Sequence, residues 1–241
     1  MLQEGKGTQH QSKSVAVLGT YEWNFDAAIA ALAPEGFEVV AVRTAIELEE
    51  LLETNSSIEW LFVTHWREII KPILLRERNF VGFHTGILPR DRGGSPIQHQ
   101  VMRGQYESEV CAFVLTGEID AGPVFMRTPV HMASGNIEEI LRNISEISAT
   151  MMKRILLEQP HAIEQKGTPS FNRRRSPKQS EIDSPVSIAS LYDFIRVLDG
   201  ASYPKAFIQS GNIRIEFSQA ALEGDSVVAR AILRVEPDER L

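Results

Sequence analysis

The chain has 241 residues, of which 43% are hydrophobic and 24% charged, and its formal net charge is −7. This length allows one domain with a substantial core plus a smaller second unit, and the acidic charge argues against a large nucleic-acid-binding surface. The single cysteine, Cys111, excludes an internal disulfide, and no apolar run is long enough for a membrane span or a signal peptide. We therefore expect a cytoplasmic protein that binds neither membrane nor nucleic acid and carries Cys111 in its core.

The first part of the chain predicts strands that alternate with helices. The hydrophobic pattern predicts strands over 14–19, 37–42, 60–64 and 79–83, and helices over 24–32, 45–52 and 68–76. Such alternation favours an α/β fold with an open, mainly parallel, Rossmann-like sheet, which binds ligands beyond the carboxyl ends of its strands. The first strand–helix junction, 18–23, lacks the Gly-x-Gly-x-x-Gly pattern of dinucleotide binders, so no nicotinamide or flavin site is expected.

The remainder of the chain predicts two more strands, a long helix and a small second unit. Strands are predicted over 110–115 and 124–130, with a helix over 137–157 that begins at a capping box of Asn136 and Glu139. Beyond a stretch rich in proline, serine and basic residues, a helix over 188–198 and strands over 205–208, 213–218 and 227–233 indicate a small α+β unit. The predicted division is a flexible N-terminus over 1–12, a catalytic domain over 13–165, a linker over 166–186 and a C-terminal domain over 187–241.

His84 and Asp120 are the strongest candidates for catalysis. His84 follows the fourth predicted strand, and Asp120 lies in the loop between two later strands. A histidine that is oriented by a carboxylate can act as a general base near pH 7. The six histidines are scattered without the spacing of metal ligands, so no metal site is expected.

Two segments around this pair carry a family resemblance. His84 to Pro89, which runs on into Arg92-Gly93-Gly94-Ser95-Pro96, and Leu115 to Pro123 resemble the signature of the folate-dependent formyltransferases. That family includes enzymes that act on methionyl-tRNA, on glycinamide ribonucleotide and on nucleotide-linked amino sugars. The resemblance implies that a formyl group passes from N10-formyltetrahydrofolate to a primary amine, with His84 as the base and Asp120 holding the imidazole. It also implies folate contacts for Ile87, Leu88, Pro89, Leu115, Gly117, Glu118 and Ile119.

Gly82 departs from the family pattern. The family has an asparagine two residues before the histidine, which donates a hydrogen bond to the developing formyl oxyanion, and such a donor is worth roughly 3–4 kcal/mol. Its replacement here could be protonated His84, a backbone N–H near Gly82, or the side chain of Gln98 or His99. An inactive relative is an alternative.

Acceptor contacts are sought in three segments. The glycine-rich turn after Arg92 can open a helix whose free N–H groups attract an anion, or it is only a turn. The basic run 173–175 binds a diphosphate or is a solvated loop. The segment 202–207 resembles part of the second domain of amino-sugar formyltransferases. The expected substrate contacts are Arg92, Gly93, Gly94, Ser95, Pro96, Gln98, Arg174, Tyr203 and Lys205.

The acidic charge and the small second unit argue against a tRNA acceptor, and a glycinamide ribonucleotide enzyme would leave 186–241 unexplained. The motifs look most like the short sugar N-formyltransferases of nonulosonic-acid pathways. We therefore expect a homodimer that formylates a UDP- or dTDP-linked amino sugar. The alternatives are a formyltetrahydrofolate hydrolase, a methionyl-tRNA formyltransferase and a non-catalytic relative that binds folate or nucleotide.

Overall fold

The computed structural model of the protein describes residues 13–76, 78–184 and 187–236, so the predicted flexible segment 1–12 lies outside it. Eleven strands and five α-helices are present in these residues. In chain order they are β1 Lys13–Gly19, α1 Glu22–Leu32, β2 Phe37–Val42, α2 Ala45–Thr54, β3 Trp60–Thr64, β4 Asn79–Thr85, β5 Arg92–Gly93, α3 Pro96–Met102, β6 Glu107–Val114, β7 Val124–His131, α4 Ile137–Glu158, β8 Phe171–Asn172, α5 Ile188–Leu198, β9 Ala206–Ser210, β10 Ile213–Glu223 and β11 Ser226–Val235.

The main sheet has six strands in the order β2-β1-β3-β4-β6-β7. The first four are parallel, and β6 and β7 join them as an antiparallel pair. This arrangement confirms the predicted α/β fold with a mainly parallel sheet. The carboxyl ends of β1, β3 and β4 meet at one edge, which is where such sheets bind ligands.

Helix α4 packs its apolar side against this sheet, as its sequence pattern predicts. Ile137, Ile144 and Met151 are almost fully buried in the larger hydrophobic core. The capping box is confirmed: the Asn136 side chain accepts the Glu139 N–H at 3.0 Å, and the Glu139 carboxylate accepts the Asn136 N–H at 2.8 Å. These bonds satisfy N–H groups that the first turn of a helix leaves without partners.

The predicted helix over 68–76 is wrong. The segment is extended and turned, and only Leu74–Arg76 forms a short 3-10 turn. Pro72 has no N–H to donate and disfavours a helical conformation at the preceding residue, Lys71, which interrupts a helix there. Ile70, Leu74 and Leu75 pack against the smaller hydrophobic core without a helix, while Ile69 and Ile73 are exposed.

The second unit consists of α5 and the antiparallel sheet β11-β10-β9. A buried polar group joins it to the large sheet: Asp193 accepts a hydrogen bond from Tyr106 at 2.6 Å and pairs with Arg196 at 2.7 Å. Arg196 also donates to the carbonyls of Gly135 and Met132, so its charge is fully engaged although the side chain is buried. Among the helices within residues 13–236 that the structure describes, none is long and apolar enough to cross a bilayer.

Candidate active site

A cavity of about 960 Å³ lies at the carboxyl ends of β1, β3 and β4. One side is formed by the main sheet and its loops, and the opposite side by the segment 171–176 and by residues of the second unit around Tyr203. The volume is at the upper end of the range for small-molecule sites, about 300–1,000 Å³. The edge of the sheet at which the sequence predicts a ligand site therefore contains a cavity large enough for a small molecule.

His84 lies within β4 and is 94% buried at one wall of this cavity, with 6% of its surface exposed. Its Nε2 is 2.8 Å from the carbonyl oxygen of Asp91, and its Nδ1 is 3.4 Å from Oδ2 of Asp120. A carbonyl can only accept, so this partner assigns the ring proton to Nε2. The nitrogen that remains to exchange a proton is Nδ1, which faces Asp120.

The Asp120 carboxylate is held in place by its backbone and by one strong contact. Its Oδ2 accepts the Gly93 N–H at 2.7 Å, while Gln165 donates to the carbonyl oxygens of Asp120 and Gly122 at 2.8 and 2.9 Å. Asp120 has a left-handed backbone with φ of 48°, a conformation that costs a non-glycine residue about 1 kcal/mol or more. The Gln165 bonds stabilise this turn, so the loop presents the carboxylate to His84.

Asp91 is a partner of His84 that the sequence analysis did not find. Its carboxylate accepts hydrogen bonds from Arg103 at 2.7 Å and from Asn172 at 2.9 Å. Burial opposes ionisation of this carboxyl, but the bonds from Asn172 and Arg103 outweigh it, so the pKa of Asp91 is lowered. The anchored side chain fixes the carbonyl that orients the imidazole.

The glycines at 93 and 94 allow segment 171–174 to lie directly against this loop. Strand β5 pairs with β8, and a Cβ on Gly94 would lie 2.5 Å from the Cα of Arg174. Any larger residue would force the segments apart. This pairing brings Asn172, and with it the basic run, to the mouth of the cavity.

An asparagine at position 82, as in the family pattern, would press on two apolar side chains. Gly82 lies in the centre of the sheet between Val63 of β3 and Phe113 of β6. A Cβ there would lie 2.8 Å from Leu115 Cδ2 and 2.9 Å from Phe113 Cε1, so both side chains would have to shift to admit a larger residue.

Gln98 and His84 are the replacement donors that reach the cavity. The side chain of Gln98 is buried, lines the cavity and lies beside the Tyr203 hydroxyl. His99, by contrast, uses its Nε2 on the carbonyl of Arg173 at 2.9 Å and is not among the residues that line the cavity.

The structure brings most of the predicted site residues together and leaves some outside. Those that line the cavity are Gly82, His84, Gly93, Gly94, Ser95, Pro96, Gln98, Leu115, Ile119, Asp120, Arg174 and Tyr203. The others do not line it: Ile87, Leu88, Pro89, Arg92, Gly117, Glu118 and Lys205. Three of the latter have other partners, because Leu88 is in a hydrophobic cluster, Arg92 binds Gln165 at 2.6 Å and Lys205 pairs with Asp199 at 2.6 Å.

Several residues of the cavity wall were not predicted from the sequence. Tyr21 follows β1, and His65, Trp66 and Arg67 follow β3. The rule that selected His84, that ligand-binding residues follow the carboxyl ends of strands, applies equally to these positions.

Metal and thiol chemistry receive no support from the described residues. In the described ranges 13–76, 78–184 and 187–236, no three His, Cys, Asp or Glu side chains are grouped as metal ligands. Cys111 is fully buried, and burial raises the pKa of its thiol to about 11. This agrees with the predicted core role, because a thiol must ionise to act as a nucleophile.

Comparisons with known proteins relate both units to formyltransferases. Residues 177–234 match the family model of the methionyl-tRNA formyltransferase C-terminal domain. The methionyl-tRNA formyltransferase of Streptococcus pyogenes serotype M6 is 24% identical over 200 residues, which cover 77% of this chain and 62% of that protein. The chain thus spans less than two thirds of the length of that curated relative.

Two solved structures have the same fold. A methionyl-tRNA formyltransferase from Clostridium thermocellum superposes with a TM-score of 0.84 at 29% identity, covering 92% of this chain and 99% of that one. A 4-N formyltransferase from Francisella tularensis superposes with a TM-score of 0.65 at 14% identity, covering 94% and 99%. The expectation that the chain is most similar to the sugar N-formyltransferases is therefore wrong, because its similarity to the Francisella tularensis enzyme is one of fold alone.

Proposed function

We propose that this chain, which the comparisons relate to formyltransferases, transfers a formyl group from N10-formyltetrahydrofolate to the primary amine of an acceptor. The observation that carries this proposal is the His84–Asp120 pair, fixed at the wall of a ligand-sized cavity. A base of this kind contributes roughly 10²–10⁴-fold in rate.

The cavity suits a folate. Its volume is about 960 Å³, and one part of its wall is apolar, with Val63, Trp66, Ile70 and Leu115 available to cover a planar ring system. Bound N10-formyltetrahydrofolate would supply an electrophilic formyl carbon. The new amide bond forms as the bond between the formyl carbon and N10 breaks, so the chain must exclude water, hold the acceptor amine and move one proton from that amine to the departing N10.

His84 and Asp120 act on that proton as a unit. Because Nε2 is engaged by the Asp91 carbonyl, the amine proton passes to the Nδ1 side of the ring, where the Asp120 carboxylate stabilises the resulting imidazolium. Gln98 provides the hydrogen bond to the formyl oxygen that the family obtains from its asparagine, because its amide side chain is buried and lines the cavity.

Methionyl-tRNA is the acceptor that the comparisons support first. The family model that matches 177–234 and the relatives at 24–29% identity are named for that activity. A nucleotide-linked amino sugar is the second candidate, favoured by the net charge of −7 and by the four arginines that line the cavity.

One assay separates these acceptors. Tetrahydrofolate release from N10-formyltetrahydrofolate is measured with methionyl-tRNA, with a panel of UDP- and dTDP-linked amino sugars, and with no acceptor. Release that requires one acceptor supports transfer to it, whereas equal release without any acceptor identifies a hydrolase. No release under any condition would refute an active formyltransferase and favour a binding protein.

Two variants test the assigned roles. His84→Asn is expected to lose at least roughly 10²-fold in kcat while it still binds folate, and Gln98→Leu to lose a similar factor with little change in KM. Arg230→Gln is the control, because Arg230 is exposed on β11 away from the cavity. Near-normal kcat in either site variant would contradict the role of that residue.

A further inference from the structure

A cluster of hydrogen-bond donors lies where the cavity meets the second unit. It consists of Tyr21 after β1, His65 and Arg67 after β3, and Ser202 and Tyr203 before β9, and all five line the cavity. We call it the donor cluster. None of the roles given to His84, Asp120 or Gln98 uses these residues.

Arg67 organises the cluster and is exposed at the wall of the cavity. Its Nη2 donates to the Tyr21 hydroxyl at 2.7 Å and to the Ser202 hydroxyl at 2.8 Å, and those two oxygens are 2.7 Å apart. The contact between the hydroxyls uses only one of their two protons, so the other proton can be donated to a ligand. Within the part of the chain that the structure describes, Arg67 forms no ion pair with a carboxylate.

His65 adds a neutral donor. Its Nδ1 lies 2.9 Å from the side-chain amide nitrogen of Asn24, which can only donate, so Nδ1 accepts and the ring proton is on Nε2. That Nε2 is buried and has no hydrogen-bond partner. Burial, with a smaller contribution from Arg67, lowers the pKa of His65 to about 4, so the ring stays neutral and keeps this arrangement at pH 7.

Tyr203 completes the cluster from the second unit. The Arg67 guanidinium lies 5.7 Å from its ring centre and 5.6 Å from that of Tyr21, so the cation is held between two aromatic rings. Burial, followed by the effect of Tyr21, raises the pKa of the Tyr203 hydroxyl, which therefore keeps its proton at neutral pH. The side chains of Gln98 and Arg67 lie beside this hydroxyl, whose own proton can be donated to a ligand.

A buried donor without a partner costs about 1–3 kcal/mol, so the Nε2 of His65, close to the Arg67 cation, indicates a missing acceptor. The complement of such a set is an anionic group with several acceptor oxygens. The local charge has the matching sign: four arginines and two carboxylates line the cavity of a chain whose net charge is −7.

We propose that the donor cluster is a phosphate-binding subsite, centred on Arg67, that holds a phosphate of the formyl acceptor. The identification of the ligand as the formyl acceptor rests on the proposed function, whereas the binding of a phosphate does not. A phosphate there would contact both units at once, since Arg67 and His65 follow β3 while Ser202 and Tyr203 precede β9. The second unit would then contribute to substrate binding directly.

The test is calorimetric titration of the full chain with inorganic pyrophosphate at low and moderate salt. Arg67→Gln removes the charge and is expected to weaken binding at least about tenfold, as for the loss of a charge-assisted contact. Tyr203→Phe should weaken it by a smaller factor. Arg230→Gln removes one exposed arginine elsewhere and should bind as the wild type does. Equal affinity in Arg67→Gln and Arg230→Gln, or no binding by the wild type, would overturn the subsite.

Two further arms identify the source of the phosphate. UDP and the RNA trinucleotide CCA represent a nucleotide sugar and a tRNA end, and the ligand whose affinity depends on Arg67 indicates the acceptor class. If formyl transfer is established, pyrophosphate should raise KM for the acceptor and not for N10-formyltetrahydrofolate. Competition with the folate instead would overturn the acceptor assignment. Arg67-dependent binding without any formyl transfer would retain the subsite and refute the proposed function.

Discussion

The substitution Gly82→Asn restores the family's asparagine and tests the packing around it. Its Cβ would lie 2.8 Å from Leu115 Cδ2 and 2.9 Å from Phe113 Cε1, closer than carbon atoms approach in folded proteins. Overpacking of this kind costs about 1–3 kcal/mol. A buried amide without a partner adds about 1–3 kcal/mol, so we expect a total loss of about 2–6 kcal/mol. For a chain of this size, that loss lowers the Tm by roughly 4–24 °C.

Thermal and urea unfolding measure this cost against a matched control. Gly117→Asn adds the same side chain where a Cβ has nothing within 4 Å, so its stability should stay close to that of the wild type. The double variant Gly82→Asn/Phe113→Leu removes the Phe113 ring atoms that lie 2.9 Å from the new Cβ, and it should recover at least about 0.5 kcal/mol relative to additive costs.

Activity provides the second measurement. The single variant Gly82→Asn should be no more active than the wild type, because Phe113 and Leu115 exclude its amide from a productive position. An increase in kcat is expected only when Phe113 is also shortened. A Gly82→Asn protein that is as stable as the wild type and clearly more active would refute this account, and with it the need for Gln98.

Three further predictions concern buried groups. Asp193→Ala leaves the 2%-exposed Arg196 without its carboxylate and should cost about 3–5 kcal/mol in urea unfolding, so a loss below about 1 kcal/mol would contradict the role of this pair. The pKa of His65 is lowered from 6.5 to about 4 in the folded chain, so at most about 3 kcal/mol of folding stability is present above pH 6.5 and lost as the pH falls towards 4. The variant His65→Gln should flatten this dependence of stability on pH. An unchanged slope in that variant would disprove the assignment. Because the pKa of the Cys111 thiol is about 11, iodoacetamide at pH 8 should alkylate the native chain at least about 10²-fold more slowly than the urea-unfolded chain, whereas equal rates would show an accessible thiol.

The sheet and its helices could be predicted because their hydrophobic periodicity is local. Helix α4 and its capping box, and helix α5 at Ile188–Leu198, agree with the sequence pattern almost to the residue. The helix predicted over 68–76 was wrong because a helical spacing of apolar residues was given more weight than the helix-breaking Pro72. A pattern shows which residues could share a buried face, but it does not show that they are buried in a helix.

The candidate site was only partly predictable for a different reason. His84 and Asp120 are recognisable by residue type, whereas the partner that fixes the ring is the backbone carbonyl of Asp91, and every residue has a carbonyl. The pairing of β5 with β8, which joins positions 79 apart in the chain, likewise follows from tertiary packing against Gly93 and Gly94. Neither contact leaves a local signal in the sequence.

The Asp91 contact changes how the catalytic pair must be understood. If Nε2 were the basic nitrogen, Asp120 would only orient the ring from behind, as the sequence analysis assumed. Here Nε2 is occupied, so Nδ1 and the carboxylate face each other at 3.4 Å and one proton can move between them and the amine. Asp120 then belongs to the proton-transfer path, and Asp120→Asn should impair kcat about as strongly as His84→Asn does. The loops that carry Asp91 and Asp120 meet at Gly93, whose N–H binds the carboxylate, so the turn after Leu88-Pro89 positions both partners of the base.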